Sequence, residues 1–453
     1  MEKRLFGTDG IRGVANKYPI TPEMALKLGK AVAMVFSKAK QKKPNKANNR
    51  AKILIGKDTR ISGYILETAL TSGICSMGVD VLLVGPIPTP AISYLTRELK
   101  ANAGIVISAS HNPAEDNGIK FFSEEGIKIK DKIELEIERL LFSDDLEGVS
   151  AKELGKAYRI DDARARYIKL AKGSISNKLY GLKIVLDCAN GSAYAVAPTI
   201  FKELGADAIV LNDKPNGLNI NLNCGALYAN NLSTAVKKHK ADLGIGLDGD
   251  ADRVVMCDEN GKLIDGDDIL AICAIDMKNN GKLKENTIVA TVMSNLGIEE
   301  ELKMHGIKLI RTKVGDRYVI DTILEKSLNL GGEQAGHIIF ADYNPTGDGI
   351  IASLQVLSIM KKTNKKLSEL YSFKKYPQVL VNVKVREKRD FEKMPKVYKM
   401  IKNAEKRLNN NGRVFVRYSG TEDLARVMVE GKHQKEIAEI ANIIATEIKA
   451  VLG

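Results

Sequence analysis

The chain has 453 residues, 44% of them hydrophobic and 28% charged, the make-up of a globular protein of roughly three or four domains and not of a disordered or fibrous one. No apolar run approaches the roughly 20 residues a membrane span needs, and the start, MEKRLFGTDGIRG, has no apolar signal region, so a cytoplasmic protein without a membrane partner is expected. Lys and Arg outnumber Asp and Glu by 69 to 56, a net +13. With no Trp and 5% aromatics there is little to stack bases on, so the excess points to a basic surface around an anionic small-molecule site and not to nucleic acid.

Five scattered cysteines (Cys75, Cys188, Cys224, Cys257, Cys273) form no CxxC pair, so neither a disulfide framework nor a zinc site is expected.

In chain order, Phe6-Gly-Thr8-Asp9-Gly10-Ile-Arg12-Gly13 comes first and offers glycines and an arginine that can reach a phosphate. Alone it also fits a glycine-rich lead-in. The densest basic stretch, Lys38 to Arg50, holds Pro and Asn and reads as a loop between a helix and a strand. Three stretches then repeat one pattern of strand, helix, strand and further strand ending in a polar loop. The first has strands over Lys52 to Gly56, Val79 to Val84 and Ala103 to Ser108, with a helix over Gly63 to Met77. The second has strands over Leu182 to Asp187, Ala206 to Leu211 and Ala241 to Leu247, with a helix over Ala193 to Leu204. The third has strands over Thr287 to Val292, Ile307 to Arg311 and Leu328 to Gly332, with a helix over Leu296 to His305.

The last strands of the three stretches align as ANAGIVISASHN, ADLGIGLDGDAD and LNLGGEQAGH, each with glycine fourth. Continuous apolar runs alternating with helices predict sheets buried on both faces, with ligands beyond the carboxyl ends of the strands. The remainder reads as strands over Val379 to Arg386, Arg413 to Tyr418 and Ala425 to Glu430, with helices over Pro395 to Leu408 and Gln434 to Val451. The expected fold is therefore α/β: three related domains with mixed, mostly parallel sheets (residues 1–155, 156–256 and 257–373) and a smaller C-terminal α+β domain (374–453).

Four loops carry the chemistry. In GIVISASHNPAEDNGIKFF, from Gly104 to Phe122, Ser110 sits where the turn is tightest. Pro113 keeps Asn112 out of the helical region, and Asn117-Gly118 reads as a turn feeding the exit strand. A hydroxyl lifted off a strand end beside His111 and before Lys120 suits a reacting group, although an ordinary polar turn has the same composition. Asp248-Gly-Asp250-Ala-Asp252-Arg253 sets three carboxylates two residues apart, hard oxygen donors suited to one Mg²⁺. An EF-hand is excluded, because its sixth position needs glycine and is Arg253. Gly331-Gly-Glu333-Gln-Ala-Gly-His337 offers a carboxylate for sugar hydroxyls and an imidazole for a proton or phosphate. Arg417-Tyr-Ser419-Gly420-Thr421-Glu422, with Arg426 near, offers hydroxyls, backbone N–H groups and guanidinium groups to a phosphate.

These motifs in this order resemble the α-D-phosphohexomutases over essentially the whole chain, with FGTDGIRG, GGEQ and RYSGTE closest to the phosphoglucosamine mutase branch. The resemblance implies a phosphoryl group on Ser110 and Mg²⁺ held by Asp248, Asp250, Asp252 and that phosphoserine. It further implies sugar contacts from Glu333 and His337, and a grip on the non-reacting phosphate by Arg417, Ser419, Gly420 and Thr421 with Arg426. Arg12 and Lys120 match basic positions beside the reacting phosphate, and Arg253 or Lys120 would stabilise charge on the transferring oxygens. The implied activity is reversible conversion of glucosamine 6-phosphate to glucosamine 1-phosphate through a sugar 1,6-bisphosphate, feeding cell-wall precursor synthesis, in a monomer or homodimer. His111, Lys120 and His337 stand as candidates for the proton acceptor. The alternatives are a phosphomannomutase or phosphoglucomutase, a Mg²⁺-dependent phosphohydrolase, and a sugar-phosphate-binding regulator. Two residues depart from the family pattern: Ala335 replaces a serine in the sugar loop, and Asp423 replaces a proline after the phosphate loop.

Overall fold

Apolar runs become buried strands wherever helices can cover both faces. The computed structural model describes residues 5–7, 9–41, 50–143, 145–371, 373–419 and 423–453. In it KILIGK forms strand Lys52–Lys57, flanked in parallel by Asp80–Pro86 and Ala103–Ile107. Asp116–Ser123 returns antiparallel beside Ala103–Ile107 and pairs in turn with Ile11–Val14, while Ala157–Arg159 closes the other edge. Helices Pro22–Gln41 and Ser62–Ser76 pack over this sheet through Leu28, Val32, Leu66, Leu70 and Ile74, all buried. They cross at glycines: a Cβ on Gly73 would stand 2.1 Å from Leu26 O, and one on Gly29 2.5 Å from Leu70 O. Only a residue without a side chain permits that approach.

The second sheet has the order Leu263–Ile264, Val254–Asp258, Leu243–Leu247, Lys183–Asp187, Asp207–Leu211. The third has the order Lys308–Thr312, Thr287–Thr291, Leu330–Gly332, Ile338–Phe340. All three sheets share a device of which the sequence pattern shows only part, the exit strand after the first loop among it. The last parallel strand is followed by an antiparallel return, at Ala103–Ile107 with Asp116–Ser123, Leu243–Leu247 with Val254–Asp258, and Leu330–Gly332 with Ile338–Phe340. Each functional loop is the link between such a pair, so both of its ends are tied into a sheet.

By its internal contacts the chain divides into a large unit, Met1–Met293 with Ile307–Tyr371, and a small one, Ser294–Gly306 with Ser372–Gly453. The small unit is an antiparallel sheet, Gln378–Lys384, Leu424–Gly431, Gly412–Tyr418, with Leu424–Gly431 central. Helices Pro395–Leu408 and Gln434–Leu452 cover it through Val397, Ile437, Ile440, Ile444 and Ile448. No helix among the described residues is long and apolar enough to cross a membrane.

Four expectations are corrected. Asn117 and Gly118 lie inside strand Asp116–Ser123, paired with Gly13 and Arg12, because an added Cβ on Gly118 would meet Ser108 O at 2.8 Å and only glycine lets the strands close. Ala157–Arg159 belongs to the first sheet, past the division expected at 155; it is a three-residue exposed edge with no apolar signal. The second sheet runs on to Ile264, past 256, because Val254–Asp258 turns back through Asn260-Gly261 into a short partner strand. Helix Leu296–Met304 groups with the small unit, where Leu296 N–H donates to Glu430 Oε1 at 2.9 Å and Asn295 Nδ2 to Tyr376 O at 3.0 Å.

Candidate active site

Ser110 has φ 53°, a left-handed conformation that few non-glycine residues adopt, and it is buried. Its N–H donates to Ser108 Oγ at 2.9 Å, and its hydroxyl donates to Asp248 Oδ2 at 2.7 Å. The first and second loops therefore meet at the predicted phosphoryl carrier. His111 Nδ1 lies 3.4 Å from Ser110 Oγ. Burial, Arg253 and Arg12 lower the His111 pKa to about 4, so the ring is neutral at neutral pH.

The carboxylate loop is shaped by its own backbone. Arg253 N–H donates to Asp248 Oδ1 at 3.1 Å, Ala251 N–H donates to Asp248 O at 3.0 Å, and Ala251 is itself left-handed at φ 57°. Asp248, Asp250 and Asp252 are buried and bring one oxygen each within 4.8 Å of one another. Asp250 Oδ1 and Asp252 Oδ1 have no hydrogen-bond partner among the described residues. Burial, then Asp252 and Asp250, raises the Asp248 pKa well above the carboxylate range. Three hard oxygen donors, two of them with an oxygen that accepts no hydrogen bond among the described residues, fit a divalent cation.

Lys120 is buried, with Nζ 2.9 Å from Asp250 Oδ2, 3.1 Å from Asp9 Oδ2 and 3.7 Å from Asp252 Oδ2. Burial works against its charge, but these carboxylates outweigh it and raise the ammonium pKa. Lys120 thus keeps its proton, which removes it as a base and leaves it as fixed positive charge. Thr89, at the start of helix Thr89–Glu98, donates from Oγ1 to Asp250 Oδ2 at 2.7 Å and from N–H to Asp250 O at 2.9 Å. Arg12 pairs with Asp9, and its Nη1 donates to Ala109 O at 3.4 Å.

His337 is buried, with Nδ1 3.6 Å from Asp252 Oδ2 and Nε2 3.5 Å from Asp316 Oδ2. Burial opposes a charge on the ring, but Asp252, Asp316 and Glu333 outweigh it and raise its pKa. Gly347 N–H donates to Nε2 at 3.0 Å, so the neutral ring carries its proton on Nδ1, toward Asp252. Lys128 Nζ lies 2.5 Å from Asp316 Oδ2 and also pairs with Asp9. A ring of acids and bases closes, Asp9, Lys120, Asp252, His337, Asp316, Lys128 and back to Asp9, with members from all three sheet regions. Burial opposes the Asp9 charge, but Lys120, Lys128 and Arg12 hold its pKa well below the ordinary range. Glu333 accepts from Gly315 N–H at 3.2 Å, and burial raises its pKa. Ala335 is exposed.

In the small unit, Arg417 and Arg426 are direct partners across Gly412–Tyr418 and Leu424–Gly431. Two guanidinium groups side by side on one strand face suit an anion. Ser419 is buried, donating from N–H to Leu424 O at 2.8 Å and accepting from Lys388 Nζ at 3.1 Å through its carbonyl. Gly420 and Thr421 lie outside the described residues. Asp423 is 88% exposed, its carboxylate 3.8 Å from Lys388 Nζ, so this substitution meets a cation in the open.

Sequence reasoning missed Lys128 and Asp316, passed over Asp9 inside a motif it had quoted, and missed three groups around the Ser110 turn: Arg60 and Asn221, which donate to Ser110 O, and Asp58, which accepts from Ser108 Oγ. Each is a single polar residue whose partner lies far along the chain. The one usable signal was Asp58-Thr-Arg60 at a strand end, at the level where the functional loops also begin.

Profiles of the phosphoglucomutase/phosphomannomutase family match in order: alpha/beta/alpha domain I at residues 3–147, domain II at 165–261, domain III at 265–376 and the C-terminal domain at 380–447. A phosphoglucosamine mutase of Syntrophotalea carbinolica is 53% identical, covering 100% of this chain and 99% of its own. One of Citrifermentans bemidjiense is 55% identical with the same coverage, and one of Bdellovibrio bacteriovorus is 52% identical over all of both chains. Of solved structures, a phosphoglucomutase/phosphomannomutase family protein from Burkholderia thailandensis superposes with TM-score 0.80 at 22% identity, over 98% of this chain and 97% of that one. An Aspergillus fumigatus N-acetylphosphoglucosamine mutase, solved with GlcNAc-6P and magnesium, does so with TM-score 0.67 at 19% identity, over 100% and 96%. These two likenesses speak for the fold.

Proposed function

The chain belongs to the phosphoglucomutase/phosphomannomutase family, and from that premise we propose that it interconverts glucosamine 6-phosphate and glucosamine 1-phosphate with Ser110 as phosphoryl carrier. The observation that carries the reading is the seating of the Ser110 hydroxyl, 2.7 Å from the first carboxylate of a buried triad. The aminosugar follows from the curated full-length relatives, which bear the name phosphoglucosamine mutase.

Phosphoserine 110 gives its phosphoryl group to the free hydroxyl of the sugar phosphate. The bisphosphate then turns over, and its other phosphate returns to Ser110. Asp248, Asp250 and Asp252, with the phosphorylated serine, would hold Mg²⁺, which when bound neutralises charge on the phosphoryl oxygens. Lys120, Arg253 and Arg12 add fixed positive charge, the main requirement of phosphoryl transfer. Of the three expected bases, Lys120 keeps its proton and the Nε2 of His337 is occupied by Gly347. That leaves His111, neutral and 3.4 Å from Ser110 Oγ, as the group placed to take the Ser110 hydroxyl proton when the bisphosphate returns a phosphoryl group to the serine.

Glu333 and the exposed Ala335 edge are proposed to face the sugar. Arg417, Ser419, Gly420, Thr421 and Arg426 are the proposed seat for the phosphate that is not reacting. A phosphorylated sugar as substrate favours the cytoplasm.

The test is turnover of the Ser110-phosphorylated protein with Mg²⁺ on glucosamine 6-phosphate, glucose 6-phosphate and mannose 6-phosphate. A strong preference for the aminosugar supports the reading. Equal or greater rates on the neutral sugars move the chain to a sibling activity, and phosphate release without isomer formation makes it a phosphohydrolase.

A further inference from the structure

A residue held in the left-handed region keeps that shape only where its surroundings over-determine it. At Ser110 the determinants come from segments beside the first and the second sheet. Ser110 O accepts from Arg60 Nη2 at 3.3 Å and from Asn221 Nδ2 at 2.9 Å. Two residues on, Asn112 O accepts from the same groups, at 2.6 Å from Arg60 and 2.9 Å from Asn221.

Arg60, fully buried, spends its other donors on the same structure: Nε on Asp116 O at 2.7 Å and Nη1 on Asp58 Oδ2 at 2.8 Å. Asp58 Oδ2 also accepts from Ser108 Oγ at 2.6 Å, and Ser108 Oγ accepts the Ser110 N–H. Both the N–H and the C=O of Ser110 therefore trace back to the Asp58–Arg60 pair.

Asn221 approaches from the region that carries the carboxylate loop. It is buried, left-handed at φ 58°, and fixed by its N–H to Ala189 O at 2.9 Å. Gly249, between the first two carboxylates, leaves room for it. A Cβ there would stand 2.6 Å from Ser110 O and 2.8 Å from Asn221 Nδ2.

We propose that Arg60 and Asn221 are positioning residues that hold the 110–112 peptides from opposite sides, so that the direction of the Ser110 hydroxyl is set by the protein and not by the bound sugar. This rests on Ser110 being the phosphoryl carrier. The same oxygen must give a phosphoryl group to one end of a sugar and take it from the other, so its geometry has to be the same in both halves of the cycle. A clamp on two carbonyls provides that without touching substrate. Asn221 also ties the carrier loop to the turn at Ala189, whose Ser192 N–H donates to Gly249 O of the carboxylate loop at 2.8 Å.

The experiment uses the full chain, phosphorylated on Ser110 and supplied with Mg²⁺, and compares wild type with Asn221→Asp and Asn221→Ala. Asn221→Asp keeps the shape and removes both donors, and Arg60→Lys is the third variant. Misplacing a reacting group by an ångström costs on the order of 100-fold, so kcat should fall ~10–100-fold in Asn221→Asp. KM for glucosamine 6-phosphate should stay within about twofold, since ground-state binding is untouched. Amide exchange should quicken at 108–113 and little elsewhere, a local readout that general destabilisation would not give. A kcat within about twofold of wild type in both Asn221 variants overturns the proposal. So does a loss of kcat accompanied by faster exchange throughout the large unit, which would mark a structural role only. Should wild type turn over no hexose phosphate, the functional reading fails, and the exchange comparison at 108–113 still decides the clamp.

Discussion

Ser110 and Asp248 lie 138 positions apart in sequence, yet their side chains share a 2.7 Å hydrogen bond in which the hydroxyl donates to the carboxylate. The hydroxyl therefore already rests where charge on a transferred phosphoryl group would be neutralised. Replacing Ser110 by Ala deletes the carrier oxygen and one hydrogen bond. Mutase turnover should disappear, while the cost to stability stays at about 1 kcal/mol. Thermal melting and turnover measured on one sample check both halves, and a fully active Ser110→Ala protein would end the mechanism.

The orphaned oxygens of Asp250 and Asp252 make a second prediction. Mg²⁺ should raise the melting temperature of wild type by a few degrees once it is well above its dissociation constant, because it binds the folded chain alone. Asp252→Asn should lose most of that gain, and chelation should stop turnover of wild type reversibly. A melting curve indifferent to Mg²⁺ would count against the triad as a metal site.

Lys120 answers three carboxylates from a buried position. Lys120→Met leaves them facing one another, and breaking a buried pair in this way costs about 3–5 kcal/mol. We expect a marked loss of melting temperature together with loss of turnover, both smaller when Mg²⁺ is present to share the charge. Equal stability of variant and wild type without metal would refute the assignment.

Asp348 offers a test by pH. It caps helix Gly349–Thr363, accepting from Ile350 and Ile351 N–H, and Tyr167 OH donates to both of its oxygens. Burial raises its pKa to about 6. In the unfolded chain an aspartate titrates near about 3.9. The folded protein thus holds this proton more tightly, and the stabilisation is complete below about pH 4 and lost as pH rises to about 6. The shift corresponds to roughly 3 kcal/mol at most. Asp348→Asn keeps an acceptor for the helix and abolishes the titration. The variant should therefore gain on wild type in melting temperature between pH 4 and pH 7. A difference that is the same at both pH values would show that Asp348 does not titrate in this range.

Much of the fold could be read directly, because KILIG, LKIVLD and ADLGIGLDG are runs that only a covered strand can bury. The carrier and the carboxylates were legible for a similar reason, since their chemistry sits in contiguous loops. What escaped was pairing at a distance. Arg60 follows a strand end and looks like any polar residue entering a helix, and Asn221 is one of several asparagines between residues 212 and 231. Lys128, in a lone bridge to Phe122, and Asp316, the first residue of helix Asp316–Glu325, acquire meaning only when the fold brings them within 2.5 Å. Ala157–Arg159 was invisible because its side chains are exposed, and its place comes from backbone pairing alone.

The closed ring of acids and bases has a consequence for ionic strength. Its links, none longer than 3.7 Å, are much shorter than the screening length of about 8 Å in physiological salt, and they are largely shut off from the ions that screen. The net charge of +13 that draws in an anionic sugar phosphate faces solvent and enjoys no such protection. Salt should therefore slow the arrival of substrate while leaving the seat that receives it intact. Rising ionic strength costs capture before it costs chemistry.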